Sequence, residues 1–260
     1  MPTPGNAPRG AAAWGADAPA ADRRPPETAA DGLSPETSAD APGDAGGPRA
    51  ARTRAASAGR RTATQARNRA RIMEAALEAF AANGFHGATI DRIAEGAGMS
   101  KPNLIYYFES KEAIHLALME SLLATWLEPL RALDPAGDPI AELRGYLRRK
   151  LGMARDFLRE SRIFAHEVIA GAPRIGPALS GPLRALVDEK AAVIADWIAA
   201  GRLAPVDPRH LIFAIWAVTQ HYADFDAQVR AVLGDGLDVC IDDAAGTLDA
   251  LFIDGLRPRR

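Results

Sequence analysis

The chain has 260 residues, 48% hydrophobic and 25% charged, ordinary for a globular protein and enough apolar material for a sizeable core. Its one cysteine, Cys240, excludes an internal disulfide and a cysteine-based zinc site and suits a reducing cytoplasm; no apolar run reaches the ~20 residues of a membrane span, and residues 1–10 lack a secretory-signal pattern. The net charge of -2 hides an asymmetry, with -4 over residues 1–48, +6 over 49–111 and -4 over 112–260, the pattern of a polyanion-binding module joined to something else.

Residues 1–48 hold nine prolines and seven glycines and only Trp14 and Leu33 as bulky apolar groups. Such a segment buries too little to offset the entropy of ordering, so a disordered acidic tail is expected, with a short partner motif at Trp14 as the other reading. Residues 49–71 carry eight arginines and no acid. A block of like charge is either a solvated stretch or, beside a nucleic-acid module, an arm that tracks phosphates. The basic arm is bounded at 49–66.

From Arg67, the residues Ile72, Ala75, Ala76, Ala79 and Phe80 recur at the helical period, and Asn83-Gly84 stops the run. Thr89 caps a short helix to Glu95, Gly96-Ala97-Gly98 turns the chain, and Ser100 caps a second short helix to Phe108 with Pro102 in its first turn. Ser110 then opens a long helix to about Leu133, with Ile114, Leu118, Leu122, Trp126 and Leu130 on one face. Further helices are expected at 140–158, from Ser161 to Ala170, at 182–200, 210–225 and 242–255. No stretch alternates like a strand. The expected fold is all-α, about nine helices: a helix-turn-helix domain over 67–111 and a helical domain over 112–260.

Two short helices across a glycine turn, followed by a long helix, form a helix-turn-helix whose second helix enters the major groove. At Gly84-Phe85, Gly87, Thr89, Ile93-Ala94, 97–100, Leu104, Tyr107-Phe108 and Lys111-Glu112 the sequence resembles the TetR family of transcriptional regulators. The resemblance implies a homodimeric repressor with a DNA-binding domain and a ligand-binding, dimerising domain. On it, Thr89, Tyr107 and Lys111 meet phosphates, while Lys101, Asn103 and Ile105 face the groove floor. Arg60, Arg61, Ser100, Pro102 and Tyr106 complete the candidate DNA-contacting set. Tyr107 can instead pack the domain, as Phe108 is expected to do. Ile105 departs from the tyrosine usual at that place: it can touch a thymine methyl but donates no hydrogen bond.

The runs at 100–114 and 203–232 and the end Leu256-Arg257-Pro258-Arg259 are similar to the RutR-type branch of that family, the uracil-responsive regulators of pyrimidine utilisation. Trp216 and Gln220, four apart on one helix face, suit stacking on a flat ring and pairing with its alternating C=O and N–H edge. The alternative is a core tryptophan beside a glutamine bonded to backbone. His166, Glu167, His221 and Tyr222 are candidates for the remaining polar contacts, and Trp126 for a second wall. The expected partners are double-stranded operator DNA, uracil or thymine, and a second copy of the chain, in the cytoplasm and without a membrane. No cofactor is expected. The five histidines form no metal-ligand pair, and no nucleophile or phosphate-loop motif is present, so neither a metal site nor an enzyme is expected. Two alternatives remain: a regulator sensing another small aromatic or apolar molecule, and a DNA-organising protein without ligand control.

Overall fold

A computed structural model of the chain describes residues 48–234 and 237–258, with side chains at 62–234 and 241–258. The expected tail lies outside the described residues apart from Pro48, as do the side chains of Arg60 and Arg61. Among the described residues there is no strand.

Helix α1 spans Pro48–Gly87, so it starts well before Arg67 and runs through the expected arm. Alanine and arginine head the helix-propensity scale, and the stretch is rich in both; the composition that reads as a solvated arm is equally a helix former. From Ile72 onward the described residues form one compact unit, and the part of α1 up to Arg71 belongs to another. Ile72, Ala76, Leu77 and Phe80 are buried. The Asn83-Gly84 stop is real: Gly84 leaves the helical path at φ 65°, a conformation in which a side chain is strained. Asn83 braces that turn, its amide donating to the Ala79 carbonyl at 2.9 Å and accepting from Arg92 at 3.1 Å.

Helices α2 (Ile90–Gly96), α3 (Lys101–Tyr107) and α4 (Lys111–Arg131) follow. Each begins at its expected cap. Thr89 accepts from the Arg92 N–H at 3.2 Å, Ser100 from Asn103 at 3.4 Å and Ser110 from Ala113 at 3.1 Å, and each such cap stabilises by about 1 kcal/mol. Ile93, Leu104, Phe108, Ile114 and Leu118 are buried.

The rest is a helical bundle: α5 (Pro139–Asp156), α6 (Leu158–Ile169), α7 (Gly176–Ala178), a wide π-turn at Leu179–Leu183, α8 (Arg184–Ala199), α9 (Pro208–Asp224), α10 (Asp226–Leu233) and α11 (Leu237–Leu248). A π-turn (Asp249–Ile253) and a 3-10 turn (Asp254–Leu256) end it. Helix α9 packs on α5, α6 and α8, and α4 packs on the same three. Four expected boundaries shift. Helix α6 begins at Leu158, not Ser161, because α5 and α6 meet at a kink at Phe157 (φ -127°, ψ 45°); Ser161 is therefore a buried residue inside a helix, not a cap. Pro182 lies inside the π-turn, whose wider ring tolerates it, rather than starting a helix. Phe225 (φ -117°, ψ 30°) breaks α10 off α9, and α11 starts before Asp242.

The two parts of the compact unit meet around one ring. Phe85 lies in the turn after Gly84, with the Arg174 guanidinium 3.6 Å from its centroid and the Lys111 ammonium 4.5 Å away. Arg174 is held by Glu167, which accepts from its backbone N–H at 2.8 Å and from its guanidinium at 3.0 Å. His115 on α4 sits edge-on to Phe80 and Phe85, both at 5.0 Å, and its Nδ1 has no hydrogen-bond partner among the described residues. Burial lowers its pKa to about 4; Glu167 and Glu112 pull upward, Arg174 and Lys111 downward.

The folded protein thus keeps His115 neutral down to about pH 4, whereas its ordinary value is 6.5. The unfolded chain takes up the proton first, so this contribution to stability is full above pH 6.5 and is lost as pH falls towards 4. Thermal unfolding across that window should show the midpoint falling with acid, and His115→Phe should flatten the fall; an unaltered slope would mean that other groups cause it.

Candidate functional site

Helix α3 exposes Lys101, Pro102, Asn103, Ile105 and Tyr106 above buried Leu104. Tyr106 is 73% exposed and Ile105 38%, and Tyr107 is half-buried with its ring edge-on to Tyr106 at 5.3 Å. Lys101 pairs with Asp91 at 3.0 Å, both exposed; such a surface pair is worth at most about 1 kcal/mol and exchanges readily for a nucleic-acid contact. The Asn103 amide nitrogen has one weak contact, Met99 Sδ at 4.0 Å. Thr89 and Ser100 are exposed at the starts of α2 and α3. Lys111 has a role that sequence reasoning missed. Its ammonium donates to the Phe85 carbonyl at 2.8 Å and the Ala88 carbonyl at 3.0 Å, which leaves one of three N–H groups for a phosphate.

The second feature is a cleft between α4, α5, α6 and α9, lined by Trp126, Lys150, Met153, Ala154, Ser161, Gln220 and Ala223. Its cavity volume is about 10 Å³, room for about one water molecule, and it is partly open to solvent. Trp126 is buried and braced edge-on by Phe164 at 4.7 Å. Ser161 donates its hydroxyl proton to Asp224 at 2.5 Å. Burial pushes the Asp224 carboxyl up, while Ser161, Lys150 and His221 pull it down.

Of the residues expected in a pocket, the structure brings together Trp126 and Gln220. The other five are not among those lining the cleft. Trp216 donates its indole N–H to the buried Tyr146 hydroxyl at 2.5 Å. His166 is exposed. Glu167 is buried but committed to Arg174. His221 is exposed and stacks on Phe225 at 5.2 Å. Tyr222 packs with Leu158 against Val229. Helix α9 is apolar around most of its girth, so spacing alone assigned Trp216 and Gln220 to one face without saying which neighbour each meets. Lys150, Ser161 and Asp224 were missed because three helices bring them together; the only sequence trace is a lysine ending an arginine run at a position in register with the buried face of α5. Among the described residues, no three His, Cys, Asp or Glu side chains are grouped to hold a metal ion, and no helix is long and apolar enough to cross a membrane.

An exposed polar row on a capped helix behind a glycine turn, joined to a helical bundle with a cleft, defines a helix-turn-helix DNA-binding protein with a companion domain. Residues 72–118 match the family model described as bacterial regulatory proteins, tetR family, and residues 119–259 match the YcdC-like protein, C-terminal region. The chain belongs to the TetR family of transcriptional regulators and is a regulator, not an enzyme. It is 46% identical over 203 residues to the HTH-type transcriptional regulator RutR of Escherichia coli K12, covering 77% of this chain and 96% of that protein. It is 29% identical to an uncharacterized HTH-type regulator in the dhlA 5' region of Xanthobacter autotrophicus, over 72% of this chain and 89% of that one. Among solved structures, the putative transcriptional regulator SCO4942 from Streptomyces coelicolor superposes with a TM-score of 0.57 at 25% identity, covering 74% of this chain and 99% of that one. Regulators of this family bind operator DNA and small ligands, typically as dimers.

The exposed amide of Asn103 should discriminate bases, whereas a phosphate contact should not. Asn103→Ala is expected to narrow the affinity gap between operator and mutated operator, each good pair being worth about 1–3 kcal/mol. Competition binding with the two DNAs measures it, and an equal loss on both would move Asn103 off the base edges.

Proposed function

We propose that the protein is a homodimeric repressor of pyrimidine-utilisation genes that leaves its operator when uracil or thymine binds. The carrying observation is the cleft in which the Trp126 indole and the Gln220 amide line the same small space. An indole face takes a flat ring, and a primary amide both donates to a C=O and accepts from an N–H. In this structure the space takes about one water molecule, so a ring of eight or nine heavy atoms enters only as the lining helices move apart. For such a ligand the ceiling of ~1.5 kcal/mol per atom caps binding near -12 to -13 kcal/mol, so micromolar affinity requires most polar edges to be paired. The similarity to RutR over nearly its whole length supports the same reading.

Two copies of α3 would enter successive major grooves about 34 Å apart, with Lys101, Asn103 and Ile105 at the bases and Thr89, Tyr107, Arg60 and Arg61 at phosphates. The route from cleft to DNA runs along two helices. Helix α4 carries both Trp126 and Lys111, and α6 carries both Ser161 and Glu167. A ligand that shifts either wall moves an element braced on Phe85, and so changes the spacing of the two recognition helices. Uracil can do this only by binding the two spacings with different affinity.

Gln220→Leu tests the reading. Leucine nearly keeps the volume but cannot pair, so ring N–H and C=O groups would be buried unsatisfied at about 1–3 kcal/mol each. Operator binding should persist, and release by uracil should vanish. Release at the wild-type uracil concentration would place the effector elsewhere.

A further inference from the structure

Two lysines of the bundle are buried to the same degree, Lys150 and Lys190, each 5% exposed. Lys190 is satisfied inside the protein: its ammonium donates to the Leu133 carbonyl at 3.3 Å and pairs with Glu189 at 3.1 Å. Lys150 makes no hydrogen bond or ion pair with any described residue, and its side chain lines the cleft. Its Nζ keeps access to solvent in the cleft, so an acceptor that enters there replaces water on the ammonium. Burial lowers its pKa to about 8 against the upward pull of Asp224, which leaves it mostly charged at neutral pH.

The other polar groups narrow what that acceptor belongs to. Ser161 has given its only proton to Asp224, so towards the cleft its oxygen can only accept. Lys150 can only donate, and Gln220 does both. A matching ligand therefore presents a C=O and an N–H on neighbouring atoms. Charge sets a further condition. Lys150 and Asp224 together bring one positive and one negative charge, so a neutral ligand leaves the cluster balanced, while a carboxylate leaves an uncompensated negative charge in a buried site.

We propose that Lys150 donates to a ring carbonyl of the effector and, with Ser161 accepting a ring N–H, restricts the cleft to uncharged cyclic imides and lactams. This rests on reading the cleft as the effector site. An amino group in place of the carbonyl sets donor against donor and is rejected, and a carboxylated ring is rejected by charge.

Calorimetric titration of the full chain without DNA tests it, with uracil, hydantoin, cytosine and orotate as probes, on the wild type, Lys150→Met and Lys150→Gln. Methionine keeps the stem and removes the charge, so the variant should unfold at or above the wild-type temperature. Its uracil Kd should rise about 10- to 100-fold, the scale of a charged hydrogen bond. Lys150→Gln, which retains a neutral N–H, should fall between the two. The wild type should bind uracil and hydantoin and reject cytosine and orotate. Unchanged uracil affinity in Lys150→Met overturns the role of Lys150 and leaves the pyrimidine reading standing. Binding of cytosine or orotate as tight as uracil overturns the imide restriction. Binding of hydantoin but not uracil, lost in Lys150→Met, upholds Lys150 and sinks the pyrimidine reading. Binding of none of the four probes by the wild type sinks both.

Discussion

Phe85 between two cations is the contact on which the relation of the DNA-binding helices to the bundle depends. Lys111 comes from the start of α4 and Arg174 from the segment after α6, and both lie against one ring in the turn that precedes α2. Cation–ring attraction is modest in water, about 0.5–1 kcal/mol, and stronger where the pair is desolvated. Here it is reinforced on both sides. Lys111 also ties down the Phe85 and Ala88 carbonyls, and Arg174 is gripped by a glutamate only 4% exposed. Arg174 itself is a quarter exposed, so water screens part of the pair. Even so, the turn cannot shift without disturbing α4, α6 or both.

The cleft is built on those same two helices. Fifteen residues, roughly 22 Å of helix, separate Lys111 from Trp126, and six residues, roughly 9 Å, separate Ser161 from Glu167. A rigid helix passes a small displacement at one end to the other. Arg159, between Leu158 and Ser161, adds a direct tie by pairing with Glu74 and Glu78 on α1. The bundle thus holds its polar cluster of Lys150, Ser161, Asp224 and Gln220 beside α4 and α6, the two helices also tied to the Phe85 turn. Polar groups in an otherwise apolar interior reduce stability, and three of these four line one small cleft.

The DNA-binding half was legible because its signals are local. Thr89, Ser100 and Ser110 cap the helices they precede, and Gly84 and the 96–98 turn interrupt the chain where spacing says they should. Asp138 and Asp207 cap α5 and α9 in the same way. What escaped is non-local. Ser161 reads as a cap but lies inside a helix because a kink at Phe157 replaced a loop. Lys150 stands at the end of an arginine run and looks like surface charge until α9 covers it. His166 and His221 carry attractive chemistry and face solvent, while Trp216 bonds Tyr146, seventy residues away. Only the tertiary arrangement decides which side of an apolar helix meets the cleft.

Linkage gives the most direct test of the central claim that cleft and operator compete through α4 and α6. Uracil affinity should be measured by titration for the free protein and for the protein saturated with operator DNA. Coupling is reciprocal, so operator must weaken uracil binding by the same factor by which uracil weakens operator binding. Equal uracil affinity on and off the operator would contradict the account.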